Sequence, residues 1–231
     1  MTDFVVRGVD YHTAGEPFRI VADPPVELGG DGVAGRRARA TVDPEVNRLR
    51  QLLCYEPRGH ADMYGAVIVP PDDEGADVGV LFWHKDGFST ACGHGAIALR
   101  VWALQTGRVM PGDAGVTEVV IDVPSGRVAA RVHADDERIT AVDFVNVGSY
   151  VIADAVPVTT SHGEVNTTVS FGGAIYASVE ARTAGLSVTA EHLPDLISLG
   201  RQVKWARADC PYAQHSGRSP AERHLRHDHL R

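Results

Sequence analysis

A mostly apolar stretch covers residues 96–104, and its one charged residue is Arg100. A helix drawn through this stretch has apolar side chains on every face, which predicts a helix that is buried all round. Gly107 and Arg108 are typical of its C-terminal end. Two apolar runs, residues 64–69 and 77–83, precede the helix and are predicted to be strands packed tightly against it.

Alternation and turn residues predict the elements around this helix. Before it, we expect a strand over residues 4–9, a turn over 11–17, a strand over 18–22 and a loop over the Pro- and Gly-rich residues 24–36. Pro44 opens a stretch with helical spacing, in which the buried side would carry Val46, Leu49, Leu52 and Leu53 and the solvent side Arg48, Arg50 and Gln51. Cys54 ends that helix and is predicted to be a packing residue.

The second half of the chain is predicted to be rich in strands. Residues 116–123 and 127–132 are joined by Pro-Ser-Gly, a hairpin signature, and residues 139–147 form a further strand. We place a domain boundary after residue 147, which gives domains 1–147 and 148–231. Within the second domain we expect short strands in residues 150–171 and a helix from about 192 to 206.

The composition of the chain excludes several classes of function. The 231 residues are 44% hydrophobic, enough for a sizeable core, and the net charge is −8. An acidic chain without a basic stripe before its last residues is not predicted to bind nucleic acid, and the absence of a long apolar run or signal pattern predicts no membrane partner. Three cysteines without CxxC spacing indicate neither a disulfide framework nor a zinc site, and favour a reducing, cytoplasmic location.

The candidate chemistry lies where the central helix begins, at Cys92-Gly93-His94-Gly95. A helix N-terminus presents unpaired backbone N–H groups, which favour a carboxylate and lower the pKa of a nearby thiol. The two glycines give a ligand access to the backbone. A core cysteine at a helix cap is the alternative, but the glycines and the histidine favour a reactive thiol.

Three segments resemble motifs of the proline racemase superfamily. They are His84-Lys85-Asp86-Gly87-Phe88-Ser89-Thr90-Ala91-Cys92-Gly93-His94, the segment His12-Thr13-Ala14-Gly15-Glu16-Pro17, and Glu56-Pro57-Arg58-Gly59-His60. The first is most similar to the trans-3-hydroxy-L-proline dehydratase branch. The resemblance implies an α+β, diaminopimelate-epimerase-like fold, with two pseudo-symmetric domains of mixed sheet around a central helix.

The same resemblance implies the roles of the site residues. Cys92 would be the base that removes the α-proton of a proline-type substrate, and Gly93 and His94 would hold the substrate carboxylate. The family needs no cofactor and no metal, the partner would be a small molecule (hydroxyproline or proline), and a homodimer is compatible with it. The implied reaction is dehydration of trans-3-hydroxy-L-proline to pyrroline-2-carboxylate by a cofactor-independent hydro-lyase.

Other polar and aromatic residues carry weaker interpretations. Glu16 and His12 either contact the substrate or fix their loop by hydrogen bonds. A structural network is favoured over a metal site for Arg58, His60 and Asp62, because a third convincing ligand is missing. Residues 162–164 are predicted to be an ordinary turn, and both Trp83 and Trp102 are expected in the core.

The C-terminal part departs from the family pattern. Residues 216–220 resemble the start of the family's Asp-Arg-Ser-Pro motif, but Gly217 replaces the Asp and no Gly-Thr-Gly follows. We interpret the tail from about residue 221 as a shifted reading frame in a shortened second domain, with a histidine cluster or a basic arm as alternatives. Two functional alternatives stay open: a proline racemase or 4-hydroxyproline 2-epimerase, for which Cys210 is the only downstream thiol, and an inactive remnant.

Overall fold

A computed structural model describes residues 5–112, 115–135 and 138–207, and divides the chain into two compact units between Val147 and Gly148. In its described residues, the first unit contains an eight-stranded mixed sheet and three α-helices. Its strands are β1 (Val9–Thr13), β2 (Glu16–Val21), β3 (Tyr64–Val69), β4 (Val78–His84), β5 (Gly87–Phe88), β6 (Val116–Val123), β7 (Gly126–Asp135) and β8 (Arg138–Val145). Its helices are α1 (Gly32–Val42), α2 (Pro44–Cys54) and α3 (Gly93–Gln105).

The sheet of the first unit wraps around α3. The strand order is β1-β2-β3-β4-β6-β7-β8, with β5 paired to β4, and α3 contacts β1, β2, β3, β6, β7 and β8. The core on this face of the sheet includes Phe18, Phe82, Leu99 and Trp102. The predicted buried helix is therefore confirmed, and contact with strands on both sides explains why apolar residues occupy all its faces.

Helices α1 and α2 cover the other face of the sheet. Val67 and Leu81 point to this second core layer, whereas their neighbours Ala66 and Phe82 point to α3. Because β3 and β4 are buried on both faces, they have continuous apolar runs rather than alternation. Both strands are confirmed to within one residue. Trp83 and Trp102 lie in the core, as predicted.

The N-terminal predictions are partly wrong. The first strand covers residues 9–13 instead of 4–9, and it pairs with β2 through a tight turn at Ala14 and Gly15, whose φ angles are 51° and 93°. Residues 24–36 are not all loop, because α1 begins at Gly32. The Val33 N–H donates to Asp72 Oδ1 at 2.6 Å, so a residue distant in sequence supports the start of this helix.

Helix α2 is confirmed, but the solvent-facing position predicted for Arg50 is wrong. Arg50 is buried, its Nη1 donates to the carbonyls of His84 and Lys85, and its Nε donates to Asn47 Oδ1. These acceptors compensate for burying the guanidinium. Cys54 is buried beside it, as predicted for a packing residue.

The second unit is smaller in its described part. Strands β9 (Tyr150–Thr160), β10 (Gly163–Phe171) and β11 (Ile175–Val179) form an antiparallel sheet in the order β11-β10-β9, followed by α4 (Leu193–Arg207). The expected short strands are thus two long ones, β9 and β10, joined by the turn predicted near His162. Cys210, the motif at residues 216–220 and the tail from residue 221 lie outside the described residues.

Candidate active site

The candidate site is the first turn of α3, for which Cys92 is the N-cap residue. Cys92 has an extended backbone (φ −156°, ψ 105°), and its side chain does not cap the helix. Its carbonyl accepts the Ala96 N–H at 2.9 Å, while the Gly95 N–H interacts with the sulfur. The N–H groups of a first helical turn have no partners within the helix, so this turn offers donors to an anion.

Gly93 and Gly95 are suited to this turn for different structural reasons. A Cβ on Gly95 would overlap the Phe18 ring and lie 2.9 Å from Cys92 Sγ, so Gly95 permits close packing below the thiol. Gly93 is exposed, and a Cβ there would contact only the Phe144 ring, at 3.7 Å. Gly93 therefore leaves the backbone open to a ligand, while Gly95 supports the turn from inside.

His94 lies between the thiol and an acidic side chain. Its Nδ1 is 3.5 Å from Cys92 Sγ and 3.4 Å from Glu16 Oε2. The imidazole ring meets the rings of Phe18 and Tyr64 edge to face, with centroids 5.7 and 5.4 Å away. The structure thus brings together the three residues predicted for the site, Cys92, Gly93 and His94, and adds Glu16.

The ionisation of the thiol differs from the expectation. Cys92 is only 9% exposed, and burial raises the pKa of its thiol to about 12. The Gly95 N–H lowers this pKa and the Glu16 charge raises it, but burial is the largest contribution. The lowered pKa expected from the helix end is therefore wrong, because desolvation of a thiolate outweighs the helix-end effect.

The pKa of His94 is lowered from its ordinary value. Burial is the largest cause, and it disfavours the charged imidazolium. The Glu16 carboxylate and a hydrogen bond to the backbone of Pro17 act in the opposite direction. The charge of His94 is therefore set by a balance between burial and its two neighbours.

The remaining motif residues have structural contacts. The His12 Nδ1 accepts the Gly15 N–H at 3.2 Å, which fixes the turn. The Arg58 carbonyl accepts from Arg19 Nη1, and His60 Nδ1 accepts the Asp62 N–H, in agreement with a structural network. Among the residues that the structure describes, no group of three His, Cys, Asp or Glu side chains could hold a metal ion.

Sequence reasoning missed several neighbours of the turn. Thr13 Oγ1 donates to the His94 carbonyl at 2.9 Å, and Tyr64 and Phe144 supply aromatic walls. Thr13 belongs to a recognisable motif, but Tyr64 and Phe144 reach the site only through the order of the strands. None of the described helices is both long and apolar enough to cross a membrane.

Comparisons with known proteins agree with this geometry. The chain is 39% identical over 201 residues to trans-3-hydroxy-L-proline dehydratase of Bacillus thuringiensis subsp. konkukian, covering 87% of this chain and 59% of that protein. It is also 39% identical over 221 residues to 3-hydroxyproline 2-epimerase of Burkholderia multivorans, covering 94% of this chain and 64% of that protein. The chain therefore spans about three fifths of the length of these curated relatives.

A solved structure and a family model extend the agreement to the fold. The structure of a hydroxyproline epimerase from Agrobacterium vitis, with bound trans-4-OH-L-proline, superimposes with a TM-score of 0.81 at 26% identity, over 86% of this chain and 58% of that one. This similarity confirms the predicted α+β fold class. The model of the proline racemase family matches residues 8–230. The chain is thus a member of the proline racemase family.

Proposed function

We propose that the chain carries the Cys92 part of the active site of a trans-3-hydroxy-L-proline dehydratase. The observation that supports this most is the placement of the Cys92 thiol at the first turn of α3, next to the open backbone of Gly93. Several relatives at 37–40% identity carry the dehydratase name, which favours this reaction over others of the family. The substrate class is accordingly a small cyclic amino acid.

The first step is removal of the α-proton. The substrate carboxylate binds to the N–H groups at Gly93 and His94, which places C2 of the ring near Cys92 Sγ. The thiolate takes the proton from C2, so the C2–H bond breaks and an S–H bond forms. The N–H groups at the helix end stabilise the negative charge that develops on the carboxylate as the proton leaves.

The second step is loss of the hydroxyl group. The electron pair from C2 forms the C2–C3 double bond while the C3–O bond breaks. In the trans isomer the 3-hydroxyl and the C2 proton lie on the same face of the ring. The Cys92 thiol can therefore return its proton to the leaving oxygen, which departs as water, and the enamine product tautomerises to pyrroline-2-carboxylate.

This stereochemistry explains how one acid–base residue serves the dehydration. The raised pKa of Cys92 makes its thiolate a strong base that is scarce before substrate binds. The cationic ring nitrogen of the substrate favours the thiolate by charge when it enters the site. We therefore expect substrate binding and thiol ionisation to be coupled.

A 2-epimerase is the second candidate, favoured by the name of the Burkholderia relative. Epimerisation needs an acid on the opposite face of C2. The other thiol among the described residues is Cys54, which belongs to the core layer on the far side of the sheet, beside Arg50. The Cys210 thiol, a poor substitute for this acid because no glycine turn surrounds it in the sequence, lies outside the described residues.

One experiment separates the candidates. The purified 231-residue chain is incubated in D₂O with trans-3-hydroxy-L-proline, and both pyrroline formation and deuterium at C2 are followed by NMR. Pyrroline formation supports dehydration, whereas exchange with inversion and no pyrroline contradicts it in favour of an epimerase. Neither product supports the inactive remnant.

Two variants assign the activity to the site. Cys92→Ser is expected to abolish pyrroline formation, and Cys54→Ser, the matched control, to retain it. Loss of activity in both variants, or in neither, would overturn the role of Cys92. A cytoplasmic location and a homodimer stay predictions.

A further inference from the structure

Glu16 is the acidic side chain at the first turn of α3. Its Oε2 lies 3.4 Å from His94 Nδ1, and the His94 side chain is 17% exposed while that of Glu16 is 55% exposed. Glu16 opens β2, directly after the turn at Ala14 and Gly15. The hairpin therefore places a carboxylate at the edge of an imidazole that itself contacts the Cys92 sulfur.

The same hairpin also contacts His94 through an uncharged hydrogen bond. Thr13 Oγ1 donates to the His94 carbonyl, and Thr13 pairs directly with Glu16 in the β1–β2 register. The backbone of His94 is thus held by Thr13 and its ring by Glu16. These two contacts allow the mechanical and the electrostatic effects of the hairpin to be separated.

We propose that Glu16 is a positioning residue, which orients the His94 imidazole by its Nδ1 edge and favours its protonated form at the anion-binding turn. The catalytic meaning of this role rests on the proposed function. The effect of Glu16 on the charge of His94 is argued only from contacts within the first unit, and it does not depend on the reaction.

The surroundings of His94 identify Glu16 as the source of this effect. The titratable groups facing the imidazole are Glu16 from β2, the Cys92 thiol from its own helix, and Tyr64 from β3. At neutral pH a thiol and a phenol are uncharged, so Glu16 is the charged side chain that attracts an imidazolium, and the backbone of Pro17 favours the protonated ring by a hydrogen bond. Burial lowers the pKa of His94, and Glu16 opposes that change.

Glu16 also influences the sulfur. Its negative charge raises the pKa of the Cys92 thiol, because it repels a thiolate. Removing the charge while keeping the shape of the side chain should therefore lower the pKa of both His94 and Cys92. A purely structural role of Glu16 predicts neither shift.

The test uses two nearly isosteric variants of the hairpin. Glu16→Gln removes the charge, and Thr13→Val removes the uncharged contact to the same residue. The pKa of His94 is measured by NMR titration of its ring C–H signal, identified by its absence in His94→Gln. The rate of Cys92 alkylation by iodoacetamide is measured between pH 7 and 10 by mass spectrometry.

We expect Glu16→Gln to lower the pKa of His94, because the charge that favours the imidazolium is removed, and to make Cys92 alkylation several-fold faster. Glu16→Asp, which keeps the charge, should restore much of the wild-type value. Thr13→Val should shift neither quantity. Glu118→Gln is the control for net charge, because Glu118 pairs with Arg131 through exposed side chains of the same unit.

An unchanged pKa of His94 in Glu16→Gln, or an equal shift in Thr13→Val, would overturn the proposal. Neither measurement requires turnover, so a chain that fails to dehydrate hydroxyproline contradicts the proposed function and leaves this inference to be judged by its own data. In an active chain, the limb of the pH–rate profile that belongs to His94 should move to lower pH in Glu16→Gln by the amount seen in the titration.

Discussion

Helices α3 and α4 are similar in length but differ in how their sheets surround them. In the first unit α3 contacts six strands, and Leu99, Trp102 and Ala103 are buried. In the second unit α4 packs on β9 and β11 and buries Leu199 and Val203. Its outer face leaves three large apolar side chains exposed: Leu193 (53%), Ile197 (46%) and Trp205 (71%).

This difference shows what makes a helix central in this fold. A sheet of eight strands twists far enough to enclose a helix, whereas three strands cover one side of it. Helix α3, which strands surround, carries the candidate site at its N-terminus. A buried helix is a rigid support, and a site that binds a small substrate needs its donors to be fixed.

The largest expected effect tests the burial of the two helices. Leu99→Ala should lower the free energy of unfolding of the first unit by about 3–5 kcal/mol, because it leaves a cavity between α3 and the sheet. Ile197→Ala on the exposed face of α4 should change stability by less than about 1 kcal/mol. Urea denaturation followed by tryptophan fluorescence measures both, and similar losses would contradict the contrast between the helices.

The second prediction compares thiols at the two helix starts. Burial raises the pKa of the Cys92 thiol to about 12. A cysteine introduced by His192→Cys, in the half-buried position before α4, should ionise more readily. At pH 8 the introduced thiol should react with iodoacetamide roughly 100-fold faster than Cys92. The Cys92 rate should continue to rise with pH beyond pH 10. A plateau near pH 9 would show that burial does not control this thiol.

The third prediction concerns the buried cation of α3. Arg100 is fully buried, and its Nη1 and Nη2 have no hydrogen-bond partner among the described residues. Its Nε donates to the Val119 carbonyl at 3.4 Å, and its guanidinium lies 5.3 Å from the Phe144 ring centroid. Burial lowers the pKa of Arg100 to about 10, which reflects the cost of desolvating the charge.

Replacing this cation should therefore stabilise the protein. Arg100→Met is expected to raise the free energy of unfolding by about 1–3 kcal/mol, since an apolar side chain of similar length removes the unpaired donors. Arg201→Met on the exposed side of α4 is the matched control and should stay within about 0.5 kcal/mol. A loss of stability in Arg100→Met would indicate that the guanidinium has an acceptor that compensates for its burial.

The smallest expected effect lies at two strained alanines, one in a turn and one within a strand. Ala14 in the β1–β2 turn and Ala155 in β9 both have φ of 51°, a conformation that favours glycine. Ala14→Gly and Ala155→Gly should each stabilise their unit by about 0.5–1 kcal/mol. Ala141→Gly in β8, where φ is not positive, should instead destabilise by a similar amount. Thermal unfolding of the three variants checks the signs.

Local sequence determined the elements whose patterns are strong over many residues. The apolar stretch after Cys92 predicted α3, the Pro44 segment predicted α2, and the Pro-Ser-Gly turn predicted the β6–β7 hairpin. The cluster of Cys92, Gly93 and His94 was evident from the motif because its residues are adjacent in the chain. Such features depend on neighbours a few residues apart, which the sequence displays directly.

Only the tertiary structure decided the features that depend on distant residues. Helix α1 begins where Asp72 accepts the Val33 N–H, and Arg50 is buried where two distant carbonyls accept its guanidinium. The direction of the Cys92 pKa shift depends on how deeply the sheet buries the thiol, and the contact of Glu16 with His94 depends on the register of the hairpin. Desolvation and long-range hydrogen bonds arise from packing, so the pattern of residues along the chain could not reveal their balance.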